Sequence, residues 1–259
     1  MTGTVTLAHH VEGPVEGPPV VLAPALGTTA AVWDSLAAAL REDYRVVRFD
    51  LRGHGGSPVP PGPYTMSELA DDVVRLADEL GLVDRFALVG LSIGGAVGQV
   101  LALEQPDRLE SLVLCCTVPR FGEPAGWIDR AAQVRSQGMA TLAEPSRGRW
   151  FTDEFRRGHP DEVERLIDMI TATPVEGYAG CCEALARFDL WSRVEKVTAP
   201  TRVIAGERDP SAPLPEVREM SERIPGADLV VLEDVSHVAN VAAPERFNDA
   251  VRAHLERTG

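Results

Sequence analysis

Ser92 is the residue whose setting most clearly predicts chemistry in this sequence. It lies at the centre of the segment Gly-Leu-Ser-Ile-Gly (90–94), after an apolar run and before a stretch rich in Ala, Val and Leu. A Gly-x-Ser-x-Gly segment between a strand and a helix is typical of a nucleophile elbow, the tight turn that lifts a serine hydroxyl above a sheet. Its glycines allow strand and helix to approach closely. The pattern therefore predicts a nucleophilic serine.

A serine hydroxyl is a weak nucleophile at neutral pH, so it needs a base that a third group orients. Asp209 follows the predicted strand 201–205, and His237 follows the predicted strand 228–232. Both residues therefore lie at strand ends, beside the edge of the sheet where Ser92 is expected. The sequence predicts a catalytic triad of Ser92, Asp209 and His237.

Other residues fit these two roles less well. Glu207 is still close to its strand, and Asp234 is too near His237 in sequence to reach behind it comfortably. His54, in Arg-Gly-His-Gly-Gly-Ser (52–57), is the strongest alternative histidine. We interpret its segment as a structural turn that packs near the site.

An acyl-transfer site also needs backbone donors for the oxyanion. The amide of Ile93 follows the nucleophile, and the loop after the strand 19–23 supplies a second amide, which by position is that of Leu26. This loop begins with Pro24-Ala25 where many related loops have His-Gly. Because Pro24 has no N–H, the interactions that hold this loop must differ.

Short apolar runs alternate with helical patterns, which predicts a mostly parallel sheet flanked by helices, an α/β fold. The predicted strands are 4–9, 19–23, 45–49, 85–91, 111–115, 201–205 and 228–232. The predicted helices are 31–41, 66–80, 93–104, 215–224 and 244–257. The alternation stops between residues 120 and 191, where only short helical patterns follow one another. We therefore predict a core domain (1–119 and 192–259) and an inserted helical cap (120–191) over the catalytic edge of the sheet.

Composition limits the possible partners and cofactors. The chain of 259 residues carries a net charge of −14, which argues against binding to nucleic acid or to anionic membranes. No apolar run approaches the ~20 residues of a membrane span, and no secretion signal is visible, so a cytoplasmic location is expected. Homo-oligomer formation stays open. The four cysteines form two adjacent pairs and the histidines do not cluster, so we expect reduced thiols, no metal and no cofactor.

Several further segments give the sequence a specific resemblance. They include Arg-Phe-Asp-Leu-Arg-Gly-His-Gly-Gly-Ser (48–57), Gly126-Trp127, Gly-Tyr-Ala-Gly-Cys-Cys (177–182) and Ser-His-Val-Ala-Asn (236–240). With the elbow, they make the chain resemble an α/β-hydrolase of the 3-oxoadipate enol-lactonase type over nearly its whole length. The resemblance implies an α/β-hydrolase fold with a helical cap, and a cofactor-free serine hydrolase that opens a small carboxylated enol-lactone.

Other functions stay open beside that hypothesis. A carboxylesterase or lactonase for another acyl substrate and a C–C bond hydrolase would use the same residues. A hydrolase-fold binding protein without catalysis is the non-enzyme alternative, although such proteins often lack a triad member. Chemistry that needs a carboxylate nucleophile is disfavoured because position 92 is serine.

The enol-lactone implied by the resemblance carries a carboxylate, which this acidic chain must bind with local positive charge. Guanidinium groups suit carboxylates because they donate two parallel hydrogen bonds, and an indole N–H can add another. The predicted substrate-binding residues are Trp127 first, and Arg120 or Arg130 second. Further candidates in the cap region are Arg135, Arg147 and Arg149.

Overall fold

The central sheet is mostly parallel, and the predicted catalytic residues Ser92, Asp209 and His237 lie at one edge of it. The structure is a computed structural model that describes residue 3 and residues 5–259. In this part of the chain seven strands form one sheet, in the order β1-β3-β2-β4-β5-β6-β7, and only β1 runs antiparallel to its neighbour. The strands are β1 (His9–Glu12), β2 (Pro19–Ala23), β3 (Arg45–Phe49), β4 (Phe86–Leu91), β5 (Leu109–Cys115), β6 (Thr201–Gly206) and β7 (Asp228–Leu232).

The predicted α/β fold is confirmed, but the predicted position of the first strand is wrong. The sequence predicts a strand at 4–9, whereas β1 covers His9–Glu12 and residue 4 lies outside the described residues. The apolar pattern before β1 reflects burial in the core and not membership of a strand. Val5 and Ala8 donate their backbone N–H groups to the side chains of Asp72 and Ser57, and Leu7 is buried in the core.

Outside residues 120–191, the described helices pack on the sheet directly or against helices that do. They are α1 (Asp34–Leu40), α2 (Met66–Glu79), α3 (Ile93–Glu104), α9 (Leu214–Arg223), α10 (Ala239–Ala242) and α11 (Pro244–Thr258). Helix α3 packs on β4 and β5 and is covered by α2, while α11 packs on β5, β6 and β7 and contacts α1. Strand β4 is buried along its whole length, as expected of an apolar strand in the middle of a parallel sheet.

Residues 120–191, here called the helical insertion, lie between β5 and β6. They contain α4 (Pro124–Gln137), α5 (Ala143–Trp150), α6 (Asp153–Gly158), α7 (Pro160–Ala172) and α8 (Val175–Leu185). No residue of this range, all of which is described, belongs to a strand. Helix α4 packs against α8, and α5 packs against α7. The division into core and cap domains stays a prediction.

Among residue 3 and residues 5–259, no helix has both the length and the apolar character needed to cross a bilayer.

Candidate active site

Ser92 lies on a sharp turn between β4 and α3. Its backbone has φ 57° and ψ −117°, a conformation that is rare for a residue with a side chain. The turn is held because the N–H of Ser92 donates to the carbonyl of Cys115 at 2.9 Å. Gly94 is required here, since a Cβ atom at this position would lie 2.2 Å from the carbonyl oxygen of Ala23. The structure therefore has the strained turn that the Gly-x-Ser-x-Gly segment predicts.

The structure brings Ser92, His237 and Asp209 into one hydrogen-bonded chain. Ser92 Oγ lies 2.9 Å from His237 Nε2, and His237 Nδ1 lies 2.7 Å from Asp209 Oδ2. All three residues are buried. The other carboxylate oxygen, Asp209 Oδ1, accepts the backbone N–H groups of Ser211 at 2.7 Å and Ala212 at 3.2 Å. These bonds orient the carboxylate, so His237 can be held with Nδ1 protonated and Nε2 facing the serine.

The alternative acids have other partners. Glu207 Oε2 accepts the backbone N–H of Asp234, and Asp234 Oδ1 accepts a hydrogen bond from Arg208 at 2.7 Å. Of the three candidate carboxylates, only Asp209 contacts the ring of His237 in this structure.

Two backbone amides lie near Ser92: Ile93 follows it in the chain, and Leu26 lines the same cavity as Ser92. Leu26 is at the second position of a turn closed by a hydrogen bond from Thr28 N to Ala25 O at 3.1 Å. Gly27, with φ +78°, is at the third position, where a type II turn requires a positive φ. Within residue 3 and residues 5–259, the amides of Leu26 and Ile93 have no hydrogen-bond acceptor. They are therefore free to bind an oxyanion.

A cavity of about 310 Å³ opens in front of these groups. Its floor includes Leu26, Ser92 and His237, and much of its wall comes from the helical insertion. Polar and aromatic residues predominate in that wall: Trp127, Arg130, Ser146, Arg149, Trp150 and Tyr178, with Glu123 and Glu216 also lining the cavity. A volume of this size suits a small ligand.

Arg130 and Arg149 are the two cationic residues of this wall. Neither has a carboxylate within 4 Å in the described part of the chain, 3 and 5–259. Burial, together with the neighbouring charge of Arg130, lowers the pKa of Arg149. Two guanidinium groups that repel each other at a partly buried wall are an arrangement that a bound anion would stabilise.

Arg135 and Arg147, two further candidates from the sequence, make ion pairs instead. Arg135 binds Glu176 and Glu183, and Arg147 binds Glu144 and Glu164. These pairs engage both guanidinium groups, and neither Arg135 nor Arg147 lines the cavity.

The structure places Arg120 and Trp127, two of the predicted substrate-binding residues, in different surroundings. Arg120 does not line the cavity; it is exposed and lies 3.7 Å from carboxylate oxygens of Glu123 and Asp189. Trp127 does line it, but its indole N–H already donates to the carbonyl of Phe121 at 2.6 Å. What Trp127 offers is its ring, which lies 4.7 Å from the guanidinium carbon of Arg130.

Arg149 belongs with Arg130, although the sequence provides little reason to select it among five arginines. The only sequence signal is its position beside Trp150 at the end of a short helix. Its backbone has a second role, since Ser236 Oγ donates to the carbonyl of Arg149 at 2.8 Å and Val238 N donates to that of Trp150 at 3.3 Å. The end of α5 is thereby bonded to both neighbours of His237.

The described residues contain no group of three or more His, Cys, Asp or Glu side chains that could hold a metal ion. The cysteines, Cys115, Cys116, Cys181 and Cys182, are free and buried. Burial raises the pKa of all four thiols, so they are protonated and unreactive at neutral pH.

The sheet, the strained serine turn and the Ser–His–Asp chain together define a class of protein. The sequence matches the alpha/beta hydrolase family over residues 20–250, and the chain belongs to this family. It is 36% identical to 3-oxoadipate enol-lactonase 2 of Acinetobacter baylyi, over 98% of this chain and 94% of that protein. The predicted resemblance is thereby confirmed.

Solved structures show the same relationship. The enol-lactonase from Burkholderia xenovorans LB400 superposes with a TM-score of 0.94 at 37% identity, covering 97% of each chain. A malate-bound thermophilic esterase from Thermogutta terrifontis superposes with a TM-score of 0.93 at 33% identity, covering 98% of this chain and 94% of the esterase. The α/β-hydrolase fold is confirmed, and the chain is a hydrolase.

Proposed function

We propose that this hydrolase opens a small carboxylated enol-lactone, of the 3-oxoadipate enol-lactone type, through an acyl-enzyme at Ser92. The observation that carries the proposal is the cavity, which joins a Ser92–His237–Asp209 chain to two arginines without carboxylate partners. The similarity to enol-lactonases from two bacteria supports the same reaction.

In the first half of the reaction Ser92 Oγ attacks the lactone carbonyl, and His237 Nε2 takes the serine proton. Asp209 accepts the Nδ1–H bond and stabilises the imidazolium. The amides of Leu26 and Ile93 bind the oxyanion of the tetrahedral intermediate. When the ring C–O bond breaks, the enol oxygen leaves with the proton from His237, and the enol then becomes a ketone.

In the second half a water molecule attacks the acyl-enzyme while His237 takes its proton. The second tetrahedral intermediate uses the same two amides. It collapses as His237 returns the proton to Ser92 Oγ and the carboxylic acid is released. Ketone formation makes the ring opening hard to reverse, because the enol leaving group no longer exists to attack the acyl group.

Arg130 and Arg149 would bind the carboxylate of the substrate. The net charge of −14 repels an anion at long range, so local cations are needed to bind it. A charged hydrogen bond of this kind contributes about 1.5–3 kcal/mol, which corresponds to roughly ten- to a hundredfold in kcat/KM.

The experiment compares the carboxylated enol-lactone with its methyl ester. We expect the wild-type enzyme to prefer the free acid, and Arg130→Ala and Arg149→Ala to lose that preference roughly ten- to a hundredfold. Arg135→Ala is the matched control, since Arg135 also lies in the insertion but binds Glu176 and Glu183 and does not line the cavity.

Equal turnover of acid and ester by the wild type would contradict recognition of the carboxylate. It would favour an esterase for another acyl group, the second candidate, which the similarity to the Thermogutta terrifontis esterase supports. A fluorophosphonate probe tests catalysis itself. Labelling should occur at Ser92 and be absent in Ser92→Ala, whereas a binding protein without catalysis would leave Ser92 unlabelled.

A further inference from the structure

The turn that carries the Leu26 amide rests on a buried histidine, His54. His54 Nε2 accepts the backbone N–H of Gly27 at 3.0 Å, and His54 Nδ1 lies 3.1 Å from the carbonyl oxygen of Arg52. The side chain of His54 is fully buried. His54 therefore links the turn at residues 25–28, here called the oxyanion turn, to the loop after β3. These two segments are separate in sequence.

The two partners determine which nitrogen of His54 carries the proton. A carbonyl oxygen only accepts and a backbone N–H only donates, so Nδ1 must be protonated and Nε2 must present its lone pair. Burial lowers the pKa of His54 to about 4, which keeps the ring neutral at neutral pH. His54 can thus hold Gly27 only as a neutral acceptor.

The loop on the other side of His54 is itself firmly held. Arg52 binds Asp72 through two bonds, Nε to Oδ2 at 2.6 Å and Nη2 to Oδ1 at 2.8 Å, and both side chains are buried. The carboxylate of Asp50 accepts the N–H of Gly56 at 2.9 Å and that of Ala30 at 2.7 Å. The loop that carries His54 is therefore held rigidly. Through Asp50 it also binds Ala30, which follows shortly after the oxyanion turn.

The bond to Gly27 matters because of its place in the turn. Gly27 N belongs to the peptide plane that follows Leu26, so the bond to His54 restricts the rotation of Leu26. The turn bond from Thr28 N to Ala25 O restricts it from the other side. Pro24, which precedes the turn, has no N–H with which to fix it. The hydrogen bond from the Gly27 N–H to His54 Nε2 fixes the turn instead.

We propose that His54 is a positioning residue for the oxyanion hole, which fixes the Leu26 amide through the Gly27 N–H. This role rests on the proposed hydrolytic mechanism but does not depend on the identity of the lactone. Losing an oxyanion donor costs about 10²–10³ in kcat, so a displaced donor should cost on the order of 10–100.

The test measures p-nitrophenyl acetate hydrolysis and inhibition by a trifluoromethyl ketone, whose adduct with serine places an oxyanion in the hole. In His54→Leu we expect kcat to fall about 10–100-fold and inhibitor affinity to fall in parallel, with KM changed less than about threefold. His54→Gln, which retains an acceptor, should recover part of both losses. His254→Leu is the matched control, because His254 is also a buried histidine but contacts the carbonyl of Pro200, which directly precedes the amino end of β6.

Several results would overturn the role of His54. Unchanged kcat in folded His54→Leu would do so, as would a loss carried entirely by KM. Equal losses of kcat in the His54 and His254 variants would show a general effect of destabilisation. If His54→Leu does not fold, His54→Gln is measured in its place. Parallel falls in kcat and inhibitor affinity would then support the role, and a fall in only one of them, or in neither, would overturn it. A wild-type protein that hydrolyses no ester and does not react with a fluorophosphonate would instead overturn the hydrolytic mechanism, and this role with it.

Discussion

Acidification should destabilise this protein through two histidines that are buried in the neutral form. His54 and His254 are both fully buried, and burial lowers the pKa of each to about 4. In the unfolded chain each side chain has the ordinary value of 6.5. Because the unfolded state binds these protons first as pH falls, the stabilisation is complete above pH 6.5 and is lost progressively towards pH 4.

The expected size of the effect follows from the same two values. The full difference between the pKa values of the unfolded and folded states corresponds to about 3 kcal/mol of stability for each histidine. Of this, about 2 kcal/mol should be lost between pH 7 and pH 5. Together the two histidines should lower the free energy of unfolding by about 4 kcal/mol over this range, a large share of the 5–15 kcal/mol typical of a folded protein.

Urea unfolding at pH 7 and pH 5 measures this difference directly. We expect His254→Gln to have about half of the wild-type pH dependence, whereas His10→Gln, a change at an exposed histidine, should leave it unaltered. The reasoning would be refuted if the wild type had the same free energy of unfolding at both pH values. It would also be refuted if His254→Gln kept the full pH dependence.

Three further predictions concern activity. Asp209→Asn should lower kcat on the order of 10⁴-fold because the wrong tautomer of His237 is favoured, while Glu207→Gln should stay near wild type; the reverse result would show that the acid is misassigned. Ser236→Ala should lower kcat about tenfold with KM nearly unchanged, because the bond from its hydroxyl to Arg149 holds the loop of His237, and Ser236→Thr should restore activity; a change in KM alone would contradict this. Exhaustive EDTA treatment should leave turnover intact, since the proposed mechanism needs no Lewis acid, and activity restored only by added zinc or manganese would disprove it.

The core of the fold could be predicted from local patterns. The strand-to-helix turn at Ser92 follows from the glycines on either side, and the alternation of apolar runs and helical patterns predicts a parallel sheet. The first strand was misplaced because an apolar pattern records burial and not hydrogen bonding. Leu7 is buried in the core without belonging to a strand.

The meeting of Ser92, Asp209 and His237 at one edge of the sheet could be predicted because topology limits where strand ends lie. Asp209 and His237 each follow a parallel strand, and the carboxyl ends of such strands meet at one edge of the sheet. Ser92 and His237 are 145 residues apart, yet their side chains lie within hydrogen-bonding distance. Sequence order was sufficient here because each residue is attached to a strand with a fixed direction.

By itself, then, the sequence determined the sheet, the strained serine turn and the order of the three predicted catalytic residues, all of which depend on short-range patterns. Only the tertiary structure decided which arginines face the cavity and what holds the oxyanion turn. Arg130 and Arg135 are five residues apart on one helix, but only Arg135 meets carboxylates, and these come from α8. Likewise, the contact between His54 and Gly27 requires two loops to pack together. Such contacts depend on how distant segments are placed in space, which the spacing of residue types along the chain does not specify.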